Sequence, residues 1–445
     1  MTSVILLGKG TVVTRDAENP IIYDGGVLLD GSTIVEIGRF EDLKAAYSNV
    51  DTIDTHNGLI MPGLINAHHH IYSALARGLS MPGPSPTNFG EILEGLWFKL
   101  DKALLADDVK ASALLTYLGC IENGVTTIFD HHASYGEIED SLSIIADAAK
   151  QLGVRSCLCY EVSDRNGEVA MKAAVRENMR FAREAQKDPA RLAAMMGLHA
   201  SFTVSKDTLD YVKTQNDLNL GYHIHVAEGP EDGADSLAKY GVSPVRRLYD
   251  EKILGPNTIT GHCVHIDDAD VQLLKETSTN VVHNPESNMG NAVGTTDILK
   301  LLDAGVTVAL GTDGYTNDMI ESYKAANCLV KHVQHKPYVG WIEVPQMLFE
   351  NNRKIANQFF DTTVGVLKPG AAADVIVLDY IAPTPMTANN INGHLLFGAT
   401  GMHVVTTISD GVPRMIDRKL QGIDKVDLMT FVRQTSERLW KRLNA

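Results

Sequence analysis

Two His-x-His pairs stand at the ends of apolar runs. His68 and His70 close Leu59-Ile60-Met61-Pro62-Gly63-Leu64-Ile65-Asn66-Ala67, with His69 between them, and His223 and His225 lie within Leu220-Gly221-Tyr222-His223-Ile224-His225-Val226-Ala227-Glu228. A strand sets residues two apart on one face, so His68 and His70 are placed to grip one metal ion together. Asp313 ends a third run of the same kind, Val306-Thr307-Val308-Ala309-Leu310-Gly311-Thr312-Asp313-Gly314. Imidazoles and a carboxylate converging from separate strand ends suit a borderline metal such as zinc, with one position left for water. That is the equipment of a hydrolase.

Residues so far apart in sequence need a fold that gathers strand ends. Between about residues 59 and 360, eight short apolar runs alternate with helical stretches, the pattern of parallel strands joined by helical crossovers. The runs lie near Leu59 to His68, Val125 to His131, Arg155 to Val162, Ala193 to Ala200, Leu220 to Val226, Thr258 to Val264, Asn280 to His283 and Val306 to Thr312. Helices are predicted over Asp140 to Leu152, Val169 to Gln186, Ser205 to Gln215, Asp267 to Thr277 and Asp318 to Gln334. The expectation is an α/β chain whose (β/α)8 TIM-type barrel carries its site at the C-terminal strand ends, where every candidate ligand falls.

The flanks differ. Val4 to Val13, Ile21 to Leu29 and Ser32 to Gly38 alternate apolar and polar residues around turn signals, and Ala373 to Leu378 and Val404 to Gly411 are β-rich. They predict a small β-sandwich built from both termini, with the barrel inserted between its halves. The division is 1–58 for the first half, 59–362 for the hydrolase barrel, and 363–445 for the second half with a terminal helix from Lys425 to Leu443.

Composition narrows the class. A formal charge of −16 argues against nucleic acid or an anionic membrane as partner and favours a small-molecule substrate. No apolar stretch reaches the roughly 18 residues of a spanning helix, and the N-terminus, beginning Met1-Thr2-Ser3, is too short and uncharged for a signal peptide, so a cytoplasmic location is expected. Cys120, Cys157, Cys159, Cys263 and Cys328 show no paired Cys-x-x-Cys spacing and read as reduced core residues.

The ordered motifs resemble the amidohydrolase superfamily, and within it the aminohydrolase group of SsnA-like proteins, atrazine chlorohydrolase-like enzymes, guanine deaminase and methylthioadenosine deaminase. They run through Pro62-Gly63-Leu64-Ile65-Asn66-Ala67-His68-His69-His70, Gly197-Leu198-His199-Ala200, His223 to Glu228, Gly261-His262-Cys263-Val264-His265, Val281 to Asn288, Gly311-Thr312-Asp313-Gly314 and Gly365 to Asp374. The resemblance implies one divalent metal, most often Zn2+ with Fe2+ or Mn2+ as alternatives, held by His68, His70, His225 and Asp313. It also implies that His262 polarises the metal's water or a developing oxyanion, that Glu228 completes the His-x-x-Glu signature of deaminating members, and that the protein is a homodimer. The residues agree with this mechanism: a metal lowers the pKa of its water toward neutrality, creating a hydroxide nucleophile, while Asp313 takes the proton and Glu228 protonates a ring nitrogen. Two-metal relatives use a carboxylated lysine on strand four; here that strand carries His199 and no lysine, so a mononuclear site is expected, with His199 touching substrate. Tyr315-Thr316-Asn317-Asp318 replaces a serine found before the asparagine in many relatives, which leaves the support of Asp313 open.

Plainer readings apply elsewhere. His131, His132, His265, His332, His335, His394 and His403 are expected to be hydrogen-bonded structural residues, and His69 to point away from the metal. His223 shares the inward face of His225 one layer deeper, as ligand support or as core. His283, at the end of strand seven, is expected to face the pocket. The proline-bearing loop Gly78 to Gly90 is expected to be a lid. Trp97 and Arg165 are candidate substrate contacts. The expected function is hydrolytic deamination of a purine-like or pyrimidine-like heterocycle. Hydrolysis of a cyclic amide or chloro-heterocycle at the same metal, or a non-catalytic metal-stabilised binding protein, are the alternatives.

Overall fold

The apolar run before His68 is broken at Gly63 into two strands that serve different sheets. Leu59–Pro62 pairs in parallel with the first strand and antiparallel with Val375–Leu378, whereas Leu64–His69 pairs in parallel with Val125–His132. A side chain at position 63 has no room, since a Cβ there would lie 2.1 Å from Thr126 Oγ1. The structure, a computed structural model, describes residues 4–80 and 82–444. Met1 to Ser3 of the N-terminal segment, Met81 of the 78–90 loop and Ala445 lie outside the described residues.

Leu64–His69, Val125–His132, Arg155–Tyr160 and Leu192–Ala194 form one parallel sheet. Met196–Ala200, Tyr222–Val226, Ile259–His262, Asn280–His283 and Val308–Leu310 form a second. Single parallel bridges, His69 to Asp313 and Val162 to Leu198, link the two sheets at both ends. The result is an α/β fold of TIM-barrel type. The expected fourth strand is interrupted at Met195, so its halves belong to different sheets.

Helices fall where periodicity places them: Ser141–Leu152, Gly167–Ala185, Lys206–Gln215, Asp268–Glu276, Met319–Gln334 and Lys425–Leu443. Their ends are chemically marked. Asp318 accepts from the Ile320 and Glu321 amides at the start of one helix, and Gly153, at φ 83°, closes another in the left-handed region. Strand residues alternate between two cores. Val282, Ala309, Ile259 and Ala67 pack together inside the parallel strands, while Val281, Val308 and Ile224 pack outward against helices.

Strands from both chain ends share one nine-stranded mixed sheet, in which Val375–Leu378 docks onto Leu59–Pro62. Leu7, Val27, Leu29, Val375, Val377 and Ile408 form its apolar core, each side chain stabilising the fold by about 1.5–3 kcal/mol on burial. A buried ion pair ties this sheet to the parallel strands: Arg155 Nη2 lies 3.0 Å from Asp374 Oδ2. Four of the five cysteines are buried as expected, and Cys328 is exposed. Among the described residues no helix is long and apolar enough to cross a membrane.

Candidate functional site

Tautomer assignment decides what the central histidines hold. His70 Nδ1 lies 2.7 Å from the His131 carbonyl oxygen and His225 Nδ1 lies 2.7 Å from that of His199. A carbonyl only accepts, so each Nδ1 carries the proton and each neutral ring presents a bare Nε2. Those two Nε2 atoms face each other at 3.1 Å, a repulsive contact of lone pairs that a cation relieves. His68 Nε2 is buried without a partner, its Nδ1 lying 2.8 Å from His223 Nε2. Burial, with repulsion from neighbouring imidazoles, holds His68 and His225 well below the ordinary histidine range and lowers His70 despite the opposing pull of Asp313. Neutral imidazoles are the form that binds metal. Ligand atoms of His68, His70 and His225, and of His68, His262 and Asp313, lie within 4.8 Å of one another, so the donor set fits one divalent ion.

Acid–base groups border this cluster. His262 Nδ1 lies 2.8 Å from Asn288 Oδ1, and its Nε2 lies 3.3 Å from Asp313 Oδ2 and 3.5 Å from Glu228 Oε2. Burial opposes a charge on His262, but Glu228 and Asp313 outweigh it and raise the imidazole to about 9. Burial lifts Glu228 to about 7 against the attraction of His262. For Asp313 burial is outweighed by His70, His262 and the Gly314 amide, which lower its carboxyl. Ser287 Oγ donates to Asp313 Oδ2 at 3.0 Å and the Gly314 amide to Oδ1 at 2.6 Å, so the support left open by the sequence comes from Ser287 and main chain. Ala227, His262, Cys263 and Asp313 all have positive φ, between 48° and 70°. Such strain on non-glycine residues, clustered at strand ends, marks a functional site.

The cluster opens into a cavity of about 200 Å³ lined by His70, His225, Glu228 and Asp313, with His199, Trp97 and Arg165 also on its wall. Trp97 ends a π-helical turn, Leu93–Trp97, that lies over the cavity with Phe89 and Phe98. The expected lid is therefore shifted along the chain: residues 82–88 are exposed, and the covering segment starts at Phe89. His283 does not face this cavity. It follows Val281 in alternation, on the outward side of its strand, and borders a separate small cavity with Thr296 and Ile298. His223 supports His68 through its ring, while His131 supports His70 through its carbonyl and places its own Nε2 2.9 Å from the Leu198 carbonyl. His69 turns to Thr312 Oγ1 at 2.9 Å, away from the cluster.

Sequence reasoning missed Asp101 and Glu161, both about 2% exposed and both on the cavity wall. Glu161 directly follows the strand Arg155–Tyr160, a position at the site-bearing ends that could have flagged it; Asp101 lies in a helix and carries no such signal. Asn288 and Asn291, which touch His262 and Glu228, were likewise unmarked beyond their place after strand seven.

Comparison with known proteins agrees with this architecture. The chain is 32% identical over 448 residues to a 5'-deoxyadenosine deaminase of Methanosarcina mazei, spanning 99% of each chain. It is 29% identical over 447 residues to a 5-methylthioadenosine/S-adenosylhomocysteine deaminase of Thermoanaerobacter pseudethanolicus, spanning 98% of this chain and 100% of the relative. Its fold matches an adenosine deaminase from Xanthomonas campestris with bound zinc, at TM-score 0.87 and 23% identity over 99% of both chains. It also matches the atrazine chlorohydrolase TrzN of Arthrobacter aurescens, at TM-score 0.80 and 20% identity over 98% of this chain and 100% of that one. The sequence profile of the Amidohydrolase family matches residues 59–413. With that span and that relative, the chain belongs to the amidohydrolase family.

Proposed function

We propose that the protein is a metal-dependent hydrolytic deaminase of a small, purine-like or pyrimidine-like heterocycle. The observation that supports it most is Glu228, a carboxyl only 12% exposed and raised to about 7, which borders the same cavity as the histidine cluster and faces His262. In this reading His68, His70, His225 and Asp313 hold one divalent ion, zinc in first place. Bound there, the ion supplies an acidified water. Asp313 receives the water's proton. Glu228, poised to exist in both forms near neutrality, delivers a proton to the ring nitrogen beside the amino-bearing carbon. His262, held by Asn288, stabilises negative charge as the water oxygen bonds to that carbon, and the amino group leaves as ammonia with the proton that Asp313 took up. The aromatic wall of Trp97, Phe98 and Tyr72 excludes water and accepts a flat ring, with His199 and Arg165 beside it. Residues 59–362 form the unit that carries this chemistry. Its relatives' names, deaminases of adenosine derivatives, agree with the class of reaction.

The test is ammonia release by the zinc-loaded protein across a panel of amino-purines, their nucleosides and amino-pyrimidines. Release from at least one is the expected result. Ring opening or chloride release without any deamination would overturn the reading.

A further inference from the structure

The cavity holds more carboxylates than the proposed reaction uses. Asp101, Glu161, Glu228, Glu231, Asp232 and Asp313 line it, and Arg165 is the one Lys or Arg side chain among the described residues that does. Arg165 is already committed. Its Nη2 donates to Asp101 Oδ2 at 3.0 Å and to Glu161 Oε1, its Nε donates to Ser163 Oγ at 3.1 Å, and its guanidinium stacks 3.7 Å from the centre of the Phe98 ring. A guanidinium held by two buried carboxylates has no net charge to offer an anion.

The carboxylates, by contrast, keep spare acceptor capacity. Asp101 Oδ1 is buried without a partner. Glu161 Oε2 lies 4.0 Å from His199 Nε2, beyond hydrogen-bond reach. His199 in turn accepts the His225 Nδ1 proton at its carbonyl oxygen, so this wall stands one residue away from the proposed metal ligands. Burial raises Glu161 to about 7 against the pull of Arg165, which marks a carboxyl with too few donors around it.

We propose that Glu161 is a specificity-determining residue whose Oε2 accepts an N–H or O–H from the part of the substrate remote from the reacting carbon, and that with Asp101 it selects uncharged or cationic ligands over anionic ones. An anionic group brought to this wall meets like charge and finds Arg165 already paired; a donor group fills the gap between Glu161 and His199. The inference rests on reading the cavity as the heterocycle site, which the ammonia panel tests separately.

The experiment is calorimetric titration of the zinc-loaded Glu228→Gln protein, slowed in turnover, with three adenines that carry the same three-carbon chain at N9, ending in methyl, ammonium or carboxylate. The methyl and ammonium ligands are expected to bind, and the carboxylate at least tenfold more weakly than the methyl. Adding Glu161→Gln is expected to shrink the carboxylate-to-methyl ratio at least threefold with zinc retained. Asp101→Asn shifts the ratio the same way and serves if the first variant does not fold. A carboxylate ligand bound within threefold of the methyl one, a ratio unmoved in both variants, or binding of none of the three ligands overturns the proposal. Lack of ammonia release with the charge preference intact removes the deaminase reading alone.

Discussion

At the scale of single residues, Glu228 and His225 stand three positions apart and are given separable jobs. Glu228→Gln is expected to retain zinc and the fold while lowering turnover by about a hundredfold to ten-thousandfold, the usual loss when a positioned acid–base group is removed. His225→Ala is expected to lose zinc as well as activity, because it removes one of the two facing Nε2 atoms. Zinc content and turnover measured on both variants decide this. A metal-free Glu228→Gln protein, or one with near wild-type turnover, would defeat the assignment. Asn288→Ala acts through His262: it deletes the acceptor 2.8 Å from Nδ1, and a fall in kcat of about tenfold to a hundredfold with KM nearly unchanged is expected. These groups were legible from the sequence to the extent that they follow strand periodicity. The pairs His68/His70 and His223/His225, with Asp313, announce themselves by spacing and the resemblance picks out His225, whereas Asp101 reaches the cavity from a helix on the covering segment, where no local pattern distinguishes it from a solvated carboxylate.

At the scale of elements, the strand ends carry the proposed ligands and the turns after them hold the strain. Asp130 fixes one such turn by accepting the Ile71 amide at 2.7 Å, immediately after His70. Burial raises its carboxyl from 3.8 to about 8, the Ile71 bond opposing. The folded state therefore keeps this proton more tightly than the unfolded chain. Its contribution to stability is full below about pH 4 and is lost as the pH rises through 8. Asp130→Asn keeps the acceptor and removes the titration, so its melting temperature is expected to fall less between pH 5 and pH 9 than that of the parent. A parallel decline in both proteins would show that Asp130 is not the group responsible. Element order was readable from alternating apolar runs, and six helices lie within two residues of the ranges periodicity assigns. The break at Gly63 was not, because Leu59 to Ile65 is apolar throughout and only strand pairing shows that the chain changes sheets there. His283 misled for a related reason: placing it at a strand end was right, but facing depends on register, and Val282 takes the inward position.

At the scale of the whole molecule, Arg155 and Asp374 form a buried ion pair between the parallel strands and the terminal sheet. Asp374 also accepts the Asp410 amide at 2.7 Å, and its carbonyl accepts the Gly63 amide at 3.0 Å. Arg155→Met leaves that carboxylate buried and unpaired and is expected to cost about 3–5 kcal/mol, read as a lowered denaturant midpoint. The double variant Arg155→Met, Asp374→Asn recovers part of the loss; equal destabilisation of single and double variants would show that the charge pair is not what matters. Removing zinc is expected to lower the melting temperature of the parent and to leave that of His225→Ala unmoved, since only a protein that binds the ion is stabilised by it. The rings of His70 and His225 donate their Nδ1 protons to main-chain oxygens of residues 131 and 199. An amide carbonyl survives every substitution at its own position. A substitution at position 199, which looks into the cavity, can therefore reshape the pocket while the main-chain oxygen that the His225 ring bonds to stays in place.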